Sequence, residues 1–349
     1  MRITKNQKRQ LNRTLMETLN IYSPSKKENP MIEYVLAKLS ALNPTLLMQD
    51  SYGNVHASFK KGNGDTVVHL NAHLDTVKNT IEDKRIINHG GVIKAFDNKA
   101  QQTVLGADDR AGVASILTIL DSINGFDGTI KVSFYKEEEI GCVGSTNSDF
   151  DFIKDVDLSI TMDRHGSSDI VVGTWGAPFC CNEVGDWLES LSKQNGMDYT
   201  PVQGGISDAL TVSGKGINSI NLSVGYYNEH TSKEELVVSE LRRSFLFAMM
   251  IIRDLPLVKQ CFQVVPKESK WIKAEYWNNS SKSYGGTYVS QRTSPIAYYS
   301  EQLDAVVVDD GIEYVDLFSV KEIDDLIKSL QRAKEQFVDN KKYKEVVKK

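Results

Sequence analysis

The sequence predicts a layered α/β protein with a smaller appendage at its C-terminal end. Two observations carry that reading. Between about residues 14 and 253, stretches with helical spacing alternate with short apolar stretches of strand type. Acidic and histidine residues also collect just past the ends of those strands, where open α/β sheets carry their ligand sites.

Taken in order, Asn29-Pro30 suits the start of a helix whose apolar face is Ile32, Val35, Leu36 and Leu39, with Pro44 beyond it. Thr66–Asn71 is short, apolar and rich in β-formers, so it predicts a buried strand. A helix follows over about 110–122, with Val113, Ile116, Leu117 and Leu120 on one side. Thr129–Tyr135 alternates with period two, as a strand does. Further strands are expected at Leu158–Met162, Ile170–Gly173 and Ile217–Val224. A helix is expected over Asn182–Asn195, and another capped by Ser239 carries Leu241, Phe245, Ala248, Met249 and Ile252.

Beyond Leu255-Pro256 the texture changes. Residues 1–255 are expected to form the main domain and 256–349 an α+β appendage. Within the appendage, about 267–303 reads as a polar, aromatic linker. A terminal helix over about 320–338 opens with the capping pair Ser319 and Glu322. The last nine residues hold five lysines.

Composition excludes several classes. The chain has 349 residues, 40% apolar and 25% charged, enough to bury a core without staples. A net charge of −5 gives no basic field for nucleic acid, and no apolar run approaches the ~20 residues of a membrane span. The charged N-terminal stretch lacks the apolar region of a secretory signal. Cys142, Cys180, Cys181 and Cys261 form no dense framework and read as free thiols, so a cytoplasmic location is expected.

The chemistry-bearing residues fall into five groups. His73 and Asp75 end one strand, and Asp108-Asp109 opens a helix within a Gly-flanked turn. Glu137-Glu138-Glu139 follows a second strand, Asp163 a third, and His230 a fourth after a short loop. Two imidazoles with three or more carboxylates suit zinc, with cobalt or manganese as substitutes. Five donors exceed the three protein ligands usual for one catalytic zinc, so two ions sharing a carboxylate account for the count.

On these residues the chain resembles the co-catalytic di-zinc peptidases, which include tripeptidases, glutamyl-type aminopeptidases and their deacylase relatives. The matching stretches are Asp50–Asn54, Asn71–Val77, Leu105–Gly112, Glu138–Gly141, Met162-Asp163, Gly204–Ala209 and His230–Glu234. The resemblance implies a three-layer α/β/α zinc-exopeptidase-like core with a mostly parallel mixed sheet. It implies that Asp108 bridges two metals across a bond to Asp109 that is often cis. His73 and Asp163 would complete one site, and Glu139 and His230 the other. Asp75 would orient His73, and Glu138 would act as general base on a metal-bridging water. Only 66 residues separate Asp163 from His230, and 32 separate Asp75 from Asp108, so the core is expected to lack a full lid domain.

The implied activity is hydrolysis of a peptide or amide bond, first as an aminopeptidase on small peptides. A deacylase acting on N-acylated small molecules is the alternative within that chemistry, with Arg110 and Arg164 as cations for a substrate carboxylate. A catalytically inactive metal- or peptide-binding module is the alternative of another class. His165, Tyr226, Tyr227 and Asp208 are candidate oxyanion or substrate contacts by position, and an Asx-turn role suits Asp208 equally. His69 reads as a hydrogen-bonded core histidine, His56 and His89 as solvated, Glu137 as a solvated neighbour, and Cys180-Cys181 as packed thiols. Neither nucleic acid nor membrane is expected as a partner, and 256–349 could serve self-association or a protein partner.

Overall fold

The computed structural model describes residues 2–174, 176–266, 296–300, 305–309, 314–317, 324 and 327–328. Helices α1 (Lys5–Leu19) and α2 (Asn29–Ala41) lead into strands β1 (Leu46–Gln49), β2 (Val55–Lys61) and β3 (Thr66–His73). An excursion through β4 (Arg85–His89), β5 (Val92–Phe96) and β6 (Gln102–Thr103) precedes α3 (Ala107–Ser122) and β7 (Gly128–Tyr135). Then come α4 (Val143–Thr146), β8 (Leu158–Arg164), β9 (Asp169–Thr174), β10 (Ala177–Pro178) and α5 (Asn182–Gln194). The series closes with β11 (Thr200–Gln203), α6 (Asp208–Ser213), β12 (Ser219–Ser223), β13 (Tyr226–Tyr227), β14 (Glu235–Val237) and α7 (Val238–Val258).

Nine strands form one sheet in the order β1-β2-β7-β3-β8-β12-β9-β10, with β11 beside β9. The central four, β7, β3, β8 and β12, run parallel, so their carboxyl ends share one rim. The flanking pairs β1–β2, β2–β7, β12–β9 and β9–β10 are antiparallel, which makes the sheet more evenly mixed than the sequence implied. A second, smaller sheet of β13, β14, β5, β4 and β6 contains the excursion between Asp75 and Asp108.

The two faces of the large sheet differ in chemistry. Val68, Leu70 and Ala72 of β3 join Val132, Ile160 and Leu222 in the main core, packed with apolar residues of α1, α3 and α7. The opposite face carries His69 and Asn71, which are fully buried, as are His56, Ser133 and Ser159 on neighbouring strands. His56, Ser133, His69 and Ser159 satisfy one another in a ladder across four strands, and Asn71 donates to Ser159 Oγ at 3.1 Å while its Oδ1 has no partner. Asp50 Oδ2 lies 3.0 Å from His56 Nε2, and His56 Nδ1 lies 2.8 Å from Ser133 Oγ. Ser133 Oγ lies 2.8 Å from His69 Nε2, and His69 Nδ1 lies 2.8 Å from Ser159 Oγ. His69 is therefore a core histidine, as expected. His56 is not solvated: strand pairing of β2 with β7 sets it opposite Ser133 and encloses it.

Some elements differ from the sequence reading. The charged N-terminal stretch forms α1, opened by a capping box between Thr4 and Gln7 and buried through Leu11, Leu15 and Leu19. Helix α7 starts at Val238, ahead of Ser239, and continues through Pro256 to Val258. Cys142, Cys180 and Cys181 are buried free thiols, and Cys261 is an exposed one.

Chain contacts divide the molecule at 281/282. The C-terminal unit holds an antiparallel sheet of β15 (Ile296–Ser300), β16 (Ala305–Asp309) and β17 (Tyr314–Leu317). Strand β15 falls inside the stretch read as linker, because Ile-Ala-Tyr-Tyr-Ser is good strand sequence. The expected terminal helix lies outside the described residues, apart from 324 and 327–328, which are helical. No helix among the described residues is long and apolar enough to cross a membrane.

Candidate metal centre

Parallel pairing delivers His73, Glu138-Glu139 and Asp163 to one rim, since they sit at or just past the ends of β3, β7 and β8. Asp108 arrives from the start of α3. There Gly106 occupies the cap position at φ 73°, a conformation glycine adopts without strain. The Asp108–Asp109 peptide bond is cis. His230 comes from the loop between β13 and β14, at φ 63°, with its carbonyl held by Asn79 Nδ2 at 3.2 Å.

Asp108 stands between the two histidines. Its Oδ1 lies 2.9 Å from His73 Nε2, and its Oδ2 lies 3.1 Å from His230 Nε2. Asp163 Oδ1 is 3.6 Å from His73 Nε2, and Glu139 Oε2 is 2.8 Å from His230 Nε2. Donors about 2.0–2.1 Å from a tetrahedral zinc stand roughly 3.3 Å apart, so this spacing suits donors that share an ion. Among the described residues, two trios have one donor atom each within 4.8 Å of one another: His73, Asp108 and Glu139, and His73, Asp109 and Asp163. Asp109 is engaged by backbone, accepting from Gly112 N at 2.9 Å and His73 N at 3.3 Å. Asp108 is the carboxylate whose two oxygens face different imidazoles.

The electrostatics also fit a cation. Burial raises Asp163 to about 7, helped by Asp108 and opposed by His73. Burial and Asp108 likewise raise Glu139 to about 7 against His230, and burial raises Asp208 to about 7. Burial alone would lower His230, yet its bonds to Asp108 and Glu139 push it up to about 12. Crowded carboxylates that resist ionising together, with imidazoles protonated in response, mark a place for added positive charge. Glu139 Oε1 is also buried without a hydrogen-bond partner. The donor set therefore suits two divalent ions, zinc or a related metal.

Asp75 organises the rim from beneath. It accepts from Ser25 Oγ at 2.8 Å, Glu138 N at 2.9 Å and Glu139 N at 3.2 Å. Its Oδ1 is 3.3 Å from His73 Nδ1, off line for a hydrogen bond. Glu138 Oε2 is 4.0 Å from His73 Nε2, and the Cys142 thiol donates to Glu138 Oε1 at 3.4 Å. Burial, with Asp163, Asp208 and Glu139 adding, pushes the Glu138 carboxyl well up despite His73.

The remaining predicted contacts separate. Tyr226 is at the site, its hydroxyl donating to Asp163 Oδ1 at 3.1 Å. Asp208 is buried at the start of α6, close enough for its charge to raise Glu138, and it forms no Asx turn. His165 pairs through Nδ1 with Glu229 Oε1 at 2.6 Å. Tyr227 turns elsewhere and donates to Glu240 at 2.6 Å. Arg110 is a correction: it is enclosed, with its guanidinium on Leu74 O, Asp75 O and Ser23 Oγ, so no substrate reaches it. Arg164 is paired with Asp169 at 3.0 Å. Sequence reasoning missed Glu229 and reached Glu234 only as the end of a matching stretch, without its role; their partners lie 64 and about 127 residues away.

The profile of peptidase family M28 matches residues 54–242, more than half of the chain and the whole stretch from β2 to the start of α7. The chain belongs to peptidase family M28. Peptidase T from Clostridium botulinum is 39% identical over 80 residues, covering 22% of this chain and 19% of that protein. A Peptidase T-like protein from Yersinia pestis is 32% identical over 110 residues, 31% of this chain and 26% of that one. The matched segments span about a third or less of these curated relatives. Aminopeptidase PepT from Bacillus cereus shares the fold at a TM-score of 0.62 and 19% identity, over 71% of this chain and 98% of that one. As an M28 member the chain carries the α/β core with flanking helices that the sequence predicted.

Proposed function

We propose that the protein is a metal-dependent exopeptidase, an aminopeptidase acting on small peptides. The observation that carries this is Asp108, with one carboxylate oxygen facing His73 and the other facing His230. In this reading His73, Asp163 and Asp108 hold one divalent ion, and Glu139, His230 and Asp108 hold the other. Bound there, the ions supply a polarised scissile carbonyl and a water acidic enough to attack at neutral pH. Glu138 takes the proton from the attacking water and hands it to the nitrogen of the leaving amine as the C–N bond breaks. Asp75 positions Glu138 through its backbone N–H, and the Tyr226 hydroxyl positions Asp163. Asp208 and His165 remain the candidate substrate contacts.

The aminopeptidase form is favoured over a deacylase by the surroundings of the donors. Arg110 is enclosed and Arg164 is paired, which leaves neither poised for a substrate carboxylate. Glu229, next to His230, brings acidic charge to this loop, with its Oε1 paired to His165 at 2.6 Å. Residues 256–349 are proposed as an appendage for self-association or a partner.

The test is elemental mass spectrometry for bound metal, followed by paired substrates. About two zinc ions per chain are expected, with cleavage of free-amine tripeptides and far slower cleavage of their N-acetyl forms. Preference for the acetylated forms would reverse the choice in favour of a deacylase. No metal after zinc reconstitution would leave only the binding-module reading.

A further inference from the structure

The backbone at Asp108 and Asp109 is not helical, and the regular helix behind them is capped by Asp109 Oδ1, which accepts from Gly112 N at 2.9 Å. The turn ahead of them, Gly106 to Asp108, has no local side chain to receive its N–H groups. Glu234 supplies what is missing, from the loop that also carries His230. Its Oε2 accepts from Gly106 N at 2.7 Å, and its Oε1 accepts from Ala107 N at 2.7 Å and Asp108 N at 3.2 Å. The residue is fully buried. Lys84 Nζ, close by, donates to Leu105 O and helps fix the same turn.

Glu234 therefore ties together two segments far apart in sequence. One bears Asp108, and the other bears His230 four residues upstream of Glu234. We infer that Glu234 is a positioning residue for the second metal site: by gripping the Asp108 turn it sets the separation of Asp108 Oδ2 and His230 Nε2. The first site takes only Asp108 from this tie, with His73 and Asp163 spaced on β3 and β8 by the sheet itself, whereas the second takes both Asp108 and His230, so loosening the grip weakens the second site more. The inference rests on the ligand assignment proposed above.

Glu234→Gln keeps the shape but turns an amide N–H₂ toward at least one backbone N–H, leaving a donor facing a donor. The test titrates the full-length metal-free protein with zinc chloride by calorimetry and follows cobalt loading by its visible spectrum. Wild type should take up two ions. Glu234→Gln should bind the second at least tenfold more weakly and weaken the first far less, with the second cobalt spectrum appearing only at higher metal. Asp127→Ala is the control for general loosening. Asp127 accepts from Asn63 N and Gly64 N at the opposite end of β3, and its loss should change neither affinity. If Glu234→Gln does not fold, Glu234→Asp, one methylene shorter, is expected to show the same selective weakening.

Two wild-type affinities in the variant, or equal weakening at both sites, overturns the inference while the ligand assignment stands. A wild-type protein that binds no zinc overturns the assignment itself.

Discussion

Glu138 and its neighbours illustrate how chemistry is divided among single residues. Glu138→Gln should retain both metals and lose at least ~10²–10⁴-fold in turnover, because the amide cannot take a proton from the attacking water. Asp108→Ala should instead lose metal, since both proposed sites use that carboxylate; elemental analysis alongside steady-state rates separates the two effects. His69 makes a prediction about stability. Burial, reinforced by His56 and Lys131, lowers it from 6.5 to about 3, so the folded chain refuses a proton that the unfolded chain accepts. Its contribution is intact above 6.5 and is lost as pH falls toward 3, at ~1.4 kcal/mol per pH unit. Between pH 6.5 and 5 wild type should lose about 2 kcal/mol from this source, and His69→Gln should lose correspondingly less in urea titrations. Equal losses would show that His69 is protonated in the fold. The residues beside strand ends were legible in sequence because a strand's end fixes where its next side chains go. The roles of His56 and Glu234 were not, because they come from partners on other strands and loops.

Among the elements, α1 shows how surface charge can hide a core helix. Its exposed side is basic and polar, yet Leu11, Leu15 and Leu19 recur every fourth residue and are fully buried. Leu15→Ala should cost ~2–5 kcal/mol through the cavity left against the core, read as a lower urea midpoint with an unchanged slope. A loss under about 0.5 kcal/mol would mean that α1 contributes little to the fold. The strands were easier to read than their layering. Thr66–Asn71 reads as buried from composition, but its division into an apolar face for α3 and a polar face for the His56–His69 ladder depends on the neighbouring strands. Antiparallel flanks such as β1–β2 and β9–β10 are short, and two-residue strands leave no periodicity to detect.

For the molecule as a whole, the place to stop the chain is past α7. Lys259 pairs with Asp65 at 3.0 Å and Asp157 at 3.2 Å, Phe262 packs on Trp187, and Asn218 donates to Gln263 O at 2.9 Å. A chain ending at 266 keeps these contacts and should melt close to the full-length protein with its metal content unchanged. A chain ending at 255 loses them and should melt several degrees lower. Equal melting of the two would show that residues 256–266 add nothing. The candidate donors themselves run from His73 to His230, with Asp108, Glu139 and Asp163 between, and no short segment holds a complete set. During synthesis the ribosome must therefore release about two thirds of the chain before the last donor emerges. A nascent chain arrested before His230 would lack a donor of the second site, so the paired centre can be completed only after that loop has emerged, well behind the donors of the first site.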